Sequence, residues 1–322
     1  MAIRAIRPTA THQGNDAGGI GQVDARSRID GSTDRWAGIG RAVVVAFLAV
    51  GVAAYAQASD RRTAPDRPAS QFVTVNGIRL HYLDWGGTGE VVLFLTSLGG
   101  TAEDFHPLAV GLTDRFHVLG LTRRGQGESA KPDTGYDTAR LVEDIRAFLD
   151  ERKIKRATLA GYSIAGNELT EFAKHYPRRV ARLVYLDAAY DLAQNAELGR
   201  RAQLNLPPLP GADKATLELI ARSIEYHPDY KSIQAPALGV FVTYDEPPKS
   251  ALWDEATKAK LLAWWHDYGK AYRREQIERF EKEMKKGRVV ELHNTTHGGF
   301  LFEKEQQTIL IREIRKFLLG GR

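Results

Sequence analysis

The hexapeptide Gly161-Tyr162-Ser163-Ile164-Ala165-Gly166 sets a serine between a short β-type run, residues 157–160, and a helix-type run, residues 167–175. Strand, sharp turn carrying a serine, then helix is the context of a nucleophile elbow. So tight a turn imposes a strained backbone on the serine, and bulky side chains two positions to either side would collide. Gly161 and Ala165 are both small. The strain lifts the Ser163 hydroxyl clear of the strand ends, above the N-terminus of the helix. An ordinary strand-to-helix turn with a surface serine could share these six residues, and position 165 holds alanine where glycine is the commoner residue. The rest of the chain must decide.

A serine hydroxyl is a poor nucleophile at neutral pH. It needs a base to take its proton and an acid to orient that base. His297 lies in a short loop, residues 294–299, between the last strand-like and last helix-like runs, and Gly298-Gly299 leaves room beside it. The competing His293 falls at a strand end and suits packing or capping. The i, i+4 spacing of the two histidines could suggest zinc, but they straddle a loop with no third ligand evident, so no metal is expected. The acid is open at this stage. Asp245, in the turn-like Asp245-Glu246-Pro247-Pro248, and Asp187, after the run 181–186, are the main candidates, with Asp191 and Glu246 behind them. An oxyanion hole needs two N–H groups, and Ile164, directly after the serine, can supply one.

The elements that must hold these groups are legible in outline. Residues 72–75 and 79–83 alternate around Asn76-Gly77, a hairpin signal. Residues 91–95 are continuously apolar, as in a strand buried on both faces. Residues 101–112 are helix-like, 116–121 strand-like, and 137–152 carry Leu141, Ile145, Phe148 and Leu149 at helical spacing. After the elbow come a strand at 181–186, an irregular stretch at 188–235 with a helix-like part at 214–226, and a strand at 236–242. A long helical region at 253–286 follows, with a break expected at Tyr268-Gly269. A strand at 288–292 and a helix at 304–319 close the chain. This alternation implies a parallel sheet covered on both faces. Trp253, Trp264, Trp265, Tyr268 and Tyr272 read as packing, or as the wall of an apolar pocket.

From about residue 71 to its end the chain resembles the α/β-hydrolase superfamily. The resemblance rests on the hairpin, Leu95-Thr96-Ser97-Leu98-Gly99-Gly100, Arg124-Gly125-Gln126-Gly127-Glu128-Ser129, the elbow, and Thr296-His297 before the final helix, all in that family's order. It implies an α/β fold with an eight-stranded, mostly parallel sheet, helices on both faces, and a small helical cap at about 188–235. It implies Ser163 as nucleophile, His297 as base and Asp245 as acid, with Asp187 as the rival. It also implies Leu98 as the partner of Ile164 in the oxyanion hole. Thr96-Ser97 departs from the His-Gly that many members carry there. The Arg124 loop is expected to be structural. It is no nucleotide loop, since no third glycine opens a helix at the required spacing. The activity implied is cofactor-free hydrolysis of carboxylic esters of small or medium acyl groups through an acyl-enzyme. Aminopeptidase, lactonase, C–C hydrolase and haloperoxidase chemistries share the fold and the triad, and a non-catalytic ligand-binding protein is the alternative from a different class. Dehalogenases and epoxide hydrolases use an aspartate where this chain has Ser163.

The 322 residues carry a net charge of +5 and no cysteine. Disulfides, a cysteine nucleophile and thiolate metal sites are therefore excluded. The arginines are scattered rather than striped with aromatics, so the expected partner is a small molecule and not a nucleic acid. Residues 1–34 have the polar, aperiodic composition of a disordered leader. In residues 35–58, Arg35 and Arg41 precede an apolar run at 42–55 and the small-x-small Ala56-Gln57-Ala58. This reads as a signal peptide or, if uncleaved, an N-terminal membrane anchor over 36–58. The folded domain, 71–322, would follow a linker at 59–70, and the protein would be exported to the periplasm or medium, or anchored.

Overall fold

In β5 (Ala157–Tyr162) and β7 (Ala237–Val242) every residue is buried. Strands with helices on both sides have no solvent face and therefore no alternation. The computed structural model that shows this describes residues 68–320, apart from 205, 207, 208, 210 and 248–252. The expected leader, the signal or anchor segment and most of the linker lie outside the described residues. Among those described, no helix is long and apolar enough to cross a membrane.

The described chain begins with the expected hairpin, β1 (Gln71–Val75) and β2 (Ile78–Gly86). At its turn Asn76 and Gly77 have φ of 50° and 77°, the left-handed pair that a two-residue hairpin turn requires. β3 (Val91–Leu95), β4 (His117–Leu121), β6 (Val180–Leu186) and β8 (Gly287–Leu292) complete an eight-stranded sheet. Its order is β1-β2-β4-β3-β5-β6-β7-β8. Only the β1–β2 and β2–β4 pairings are antiparallel, so the hairpin forms the antiparallel edge.

Successive residues of one strand feed opposite cores. Leu93, Leu159 and Leu183 join one cluster, while Phe94, Ala160 and Val184 join the other, as the two-residue period demands. The second cluster lies under α1 (His106–Val110) and α8 (Lys304–Leu319) through Leu108, Leu310 and Ile314. The first lies under α2 (Thr138–Glu151) and α3 (Ala165–His175) through Ile145, Phe148 and Phe172. The irregular stretch after β6 contains α4 (Leu192–Arg201), which the sequence pattern did not suggest, and α5 (Lys214–Ser223). The long helical region is α6 (Glu255–Trp264) and α7 (Lys270–Glu283), joined by a π turn at Trp265–Gly269 close to the expected break. Asp137, Asp191, Asp213 and Asp254 each cap a helix by accepting an N–H three residues on.

The loop after β4 is structural, as expected. Gly125 and Gly127 take φ of 77° and 47°, and buried Arg124 makes a bidentate pair with Asp144 of α2, its Nη2 donating at 2.7 Å. Removing one member of such a pair strands a buried charge. Asp144→Ala should therefore cost about 3–5 kcal/mol of stability by urea denaturation. A loss below about 1 kcal/mol, the size for an exposed pair, would contradict this reading.

Candidate active site

β5 ends at Tyr162, and the next residue, Ser163, has φ 59°. That is a strained value for a serine and it persists only where the surroundings enforce it. The Ser163 N–H donates to Leu186 O of β6 at 3.2 Å, and α3 starts two residues later. The small residues flank the turn for measurable reasons. A Cβ on Gly161 would lie 3.0 Å from Ala165 Cβ and from the Leu169 side chain. A Cβ on Gly166 would lie 1.7 Å from Ala188 O, which no side chain can do. The glycine that the turn cannot lose is thus at 166, and alanine fits at 165.

His297 sits between Ser163 and Asp187. Its Nε2 is 2.8 Å from Ser163 Oγ and its Nδ1 is 2.6 Å from Asp187 Oδ2. With Asp187 ionised, Nδ1–H donates to the carboxylate and Nε2 accepts the serine proton. The His297 carbonyl accepts from Tyr162 Oη at 2.6 Å, which fixes the loop over the end of β5. All three groups are buried; Asp187 is fully inaccessible.

The structure does not bring Asp245 to His297, and the expectation for that residue is corrected. The Asp245 side chain is fully exposed, and its Oδ1 lies 3.2 Å from Lys270 Nζ. Strand register gives the reason. Tyr162 pairs with Leu186, and Leu186 with Val240. The next residues, Ser163 and Asp187, therefore leave neighbouring strands at one level. β7 continues to Val242, and Thr243 bonds on to Leu292 O. Asp245 is carried past the level of the serine and out to solvent. The other candidates also lie elsewhere: Glu246 is exposed, and Asp191 caps α4 and pairs with His227 and Arg279. His293 is exposed, with its Nδ1 2.6 Å from Thr243 Oγ1.

A buried carboxylate needs partners, and Asp187 has several. Its Oδ1 accepts from Val242 N at 2.9 Å and from the Tyr190 hydroxyl. Arg273 of α7 reaches both oxygens, at 2.9 and 3.1 Å, and donates to Val242 O at 2.6 Å. The guanidinium lies between the rings of Tyr190 and Tyr244, 4.7 and 4.8 Å from their centroids. Burial pushes the Asp187 carboxyl up, but the Arg273 charge and the hydrogen bonds from His297 and Tyr190 outweigh it and hold it at about 2. Arg273 was not singled out in the sequence. A signal was there: with Tyr272, Gln276, Ile277 and Phe280 it lies on the buried stripe of α7, where a lone cation calls for an anion.

Of the proposed oxyanion donors, Ile164 follows the serine and Leu98 lies in the loop after β3; both are buried. Among the described residues neither N–H donates to a backbone carbonyl. Thr96, in the departing dipeptide, is buried, and its Oγ1 accepts from Arg123 N at 3.4 Å, which ties that loop to the one after β4. Of the aromatic group, Trp253, Trp264 and Trp265 pack in the core, Tyr268 is exposed, and Tyr272 lines the cavity at Ser163.

A family model described as the alpha/beta hydrolase fold matches residues 90–212. The acetyltransferase component of an acetoin cleaving system from Cupriavidus necator is 33% identical over 130 residues, 40% of this chain and 35% of that protein. A 2-(acetamidomethylene)succinate hydrolase from Mesorhizobium japonicum is 31% identical over 124 residues, 38% of this chain and 44% of that one. The chain thus spans less than half the length of these curated relatives. An enol-lactonase structure from Burkholderia xenovorans aligns with a TM-score of 0.56 at 20% identity, over 78% of this chain and 100% of the other. A Bacillus subtilis carboxylesterase structure aligns with a TM-score of 0.53 at 16% identity, over 85% and 98%.

Two outcomes follow from the geometry. Gly166→Ala should lose about 3 kcal/mol or more in thermal unfolding, because the Ala188 carbonyl must move; a neutral substitution would refute that contact. Asp187 is at about 2 in the folded chain and at about 3.9 unfolded. Its contribution to stability is therefore present above pH ~4 and is lost as pH falls through the folded value. In Arg273→Met burial is less opposed and the folded carboxyl binds its proton at higher pH, so the stability that Asp187 adds above pH ~4 is smaller. Tm should be lower at neutral pH and should fall less than in wild type as pH drops from ~4 toward about 2. Superimposable acid limbs would count against the pairing.

Proposed function

We propose that this chain, which belongs to the α/β-hydrolase superfamily, is a serine hydrolase that cleaves carboxylic esters of small or medium acyl groups through an acyl-enzyme. One observation carries the reading: the His297 imidazole bridges Ser163 Oγ, at 2.8 Å, and Asp187 Oδ2, at 2.6 Å, in a buried site. In this reading Ser163 Oγ attacks the ester carbonyl while His297 Nε2 takes its proton. Asp187 holds the imidazole in the tautomer with Nδ1–H and stabilises the imidazolium without taking the proton itself. The Ile164 and Leu98 N–H groups receive the oxyanion. The imidazolium then protonates the leaving alcohol, and the same cycle with water releases the acid. None of these steps calls for a cofactor. The fold alone does not choose between esters, lactones and related substrates. The ester assignment rests on an activated serine facing a small, mostly apolar cavity.

We extend the reading to location. Arg35 and Arg41, the apolar run that follows and Ala56-Gln57-Ala58 support export or anchoring. Sequencing the N-terminus of protein from fractionated cells decides this: a start at Ser59 means cleavage, an intact chain in the membrane fraction means an anchor, and an intact chain in the soluble cytoplasm refutes both.

The test of chemistry is labelling by a fluorophosphonate probe together with hydrolysis of p-nitrophenyl acetate and butyrate. Wild type should label; Ser163→Ala and His297→Ala should not. Asp187→Asn should lower kcat by about 10⁴, whereas Asp245→Asn should leave it unchanged. A folded wild type that neither labels nor hydrolyses sinks the proposal and favours a binding protein on this fold.

A further inference from the structure

The cavity at Ser163 is about 10 Å³, room for about one water. Apart from Ser163, Asp187 and His297, which also line it, its walls are mostly apolar: Ala188, Leu192 and the rings of Tyr190 and Tyr272. Asn195 is the exception. It stands one turn after Leu192 on α4, lines the same cavity and is 1% exposed. Neither its amide oxygen nor its amide nitrogen has a hydrogen-bond partner of normal geometry among the described residues. The amide N–H approaches the Tyr272 hydroxyl as a donor, since the proton of that hydroxyl goes to Asp191 O at 2.7 Å, so the amide oxygen is the atom left without a protein donor.

A buried amide oxygen that no protein donor reaches is costly unless something that enters the cavity serves it. Leucine has nearly the same shape and would fill the space without that penalty. The neighbouring buried side chains of the roof are satisfied, by contrast. Gln276 accepts from Asp191 N at 3.1 Å and donates to Gln194 at 2.9 Å. The Asn195 oxygen has no protein donor, and Asn195 lines the cavity that Ser163 also lines.

We propose that Asn195 reads the substrate: it hydrogen-bonds a neutral polar group, an amide or a hydroxyl, carried close to the scissile ester or lactone bond. A neutral group suits the site better than an anion, because no lysine or arginine lines the cavity and the Asp187 carboxylate does, and better than a cation, because that carboxylate is already held by Arg273 and His297. The nearby cation, Arg273, is committed to Asp187 and to Val242 O. An asparagine amide offers both a donor and an acceptor, so either partner polarity is met. The cavity admits no acyl group in its present form, so its walls must part for substrate to enter, and α4 is the wall that carries Leu192 and Asn195. Asn195 rides on that helix, and its bond to the substrate is made as the walls close again. Binding energy from the polar group is thereby tied to assembly of the closed site.

This inference rests on the serine-hydrolase reading, and matched substrates separate the two. On the acyl side the pair is the p-nitrophenyl ester of N-acetylglycine against that of pentanoate, equal in chain length. On the alcohol side it is 2-acetamidoethyl butyrate against pentyl butyrate, followed by pH-stat. In wild type at least one pair should favour the amide by about tenfold or more in kcat/KM. Asn195→Leu, its fold checked by circular dichroism, should lower that ratio by about tenfold, toward the ratio for spontaneous hydrolysis of the same pair in buffer, with the loss falling on the amide-bearing ester. Wild type that hydrolyses the esters with no amide preference in either pair overturns this inference alone, even if the variant does not fold. Equal slowing of both members of a pair in Asn195→Leu also overturns it, since that is the mark of a held water or of damaged packing. Absence of hydrolysis and of fluorophosphonate labelling overturns both readings.

Discussion

The structure turns on a negative charge closed off from bulk solvent. Asp187 is wholly inaccessible, and desolvating a carboxylate costs several kcal/mol even after the protein relaxes. The chain offsets this by dividing the two oxygens. Oδ1 takes the anchoring donors, Val242 N and the Tyr190 hydroxyl, and Arg273 spans both oxygens. Oδ2 is left aimed at His297. The orientation of the carboxylate is thus set by groups other than the histidine, which is what an orienting acid needs. Held at about 2, it is also too weak a base to compete for the imidazole proton. Arg273 arrives from α7, 86 residues further along the chain, so this one pair also fastens the helices over the site to the sheet.

The second constraint is backbone strain at two matched points. Ser163 and Asp187 have φ of 59° and 46°, and each directly follows a residue of the register pair Tyr162–Leu186. Such conformations cost of the order of 1–3 kcal/mol each and survive where neighbours over-determine them. Here the neighbours are identifiable. Ser163 N is held by Leu186 O, and Asp187 N by Val240 O at 2.8 Å. Each strand therefore pins the turn that leaves the strand beside it. The proposed nucleophile and acid share a level because they share a register, and His297 has only to drop between them.

That register explains which parts were legible in the sequence. Strand identity is local: the unbroken apolar run of β3 and the Asn76-Gly77 turn declare themselves without tertiary context. Ser163 could be found because its strain leaves a mark in the residues around it, and His297 because it stands in the loop before the last helix. The acid could not be fixed in the same way. Asp187 and Asp245 both follow strands, and choosing between them requires knowing how far β7 runs beyond β6, a property of pairing. Asn195 was missed because the buried face of α4 carries one large apolar residue, Leu192, beside the small Ala193, Ala196 and Gly199, although Asp191, its N-cap, was in view as a carboxylate. Arg273 broke the apolar face of a foreseen helix, and that break could have been read as a demand for a buried anion.

A second buried pair shows why the donors around Asp187 matter more than the arginine alone. Glu168 of α3, one turn past the elbow, pairs with Arg123, and both are almost fully buried. The ingredients are the same, a carboxylate and a guanidinium closed off from bulk solvent. The outcome is opposite: burial wins and the Glu168 carboxyl is pushed up to about 7. Glu168 has Arg123 opposing its burial and the negative Asp144 adding to it. Asp187 has, besides its arginine, a backbone N–H, a tyrosine hydroxyl and an imidazole. A single ion pair in this interior does not offset the burial of a carboxylate; a full shell of donors does. The chain has built that shell on the side of the sheet end where His297 needs a permanent negative charge.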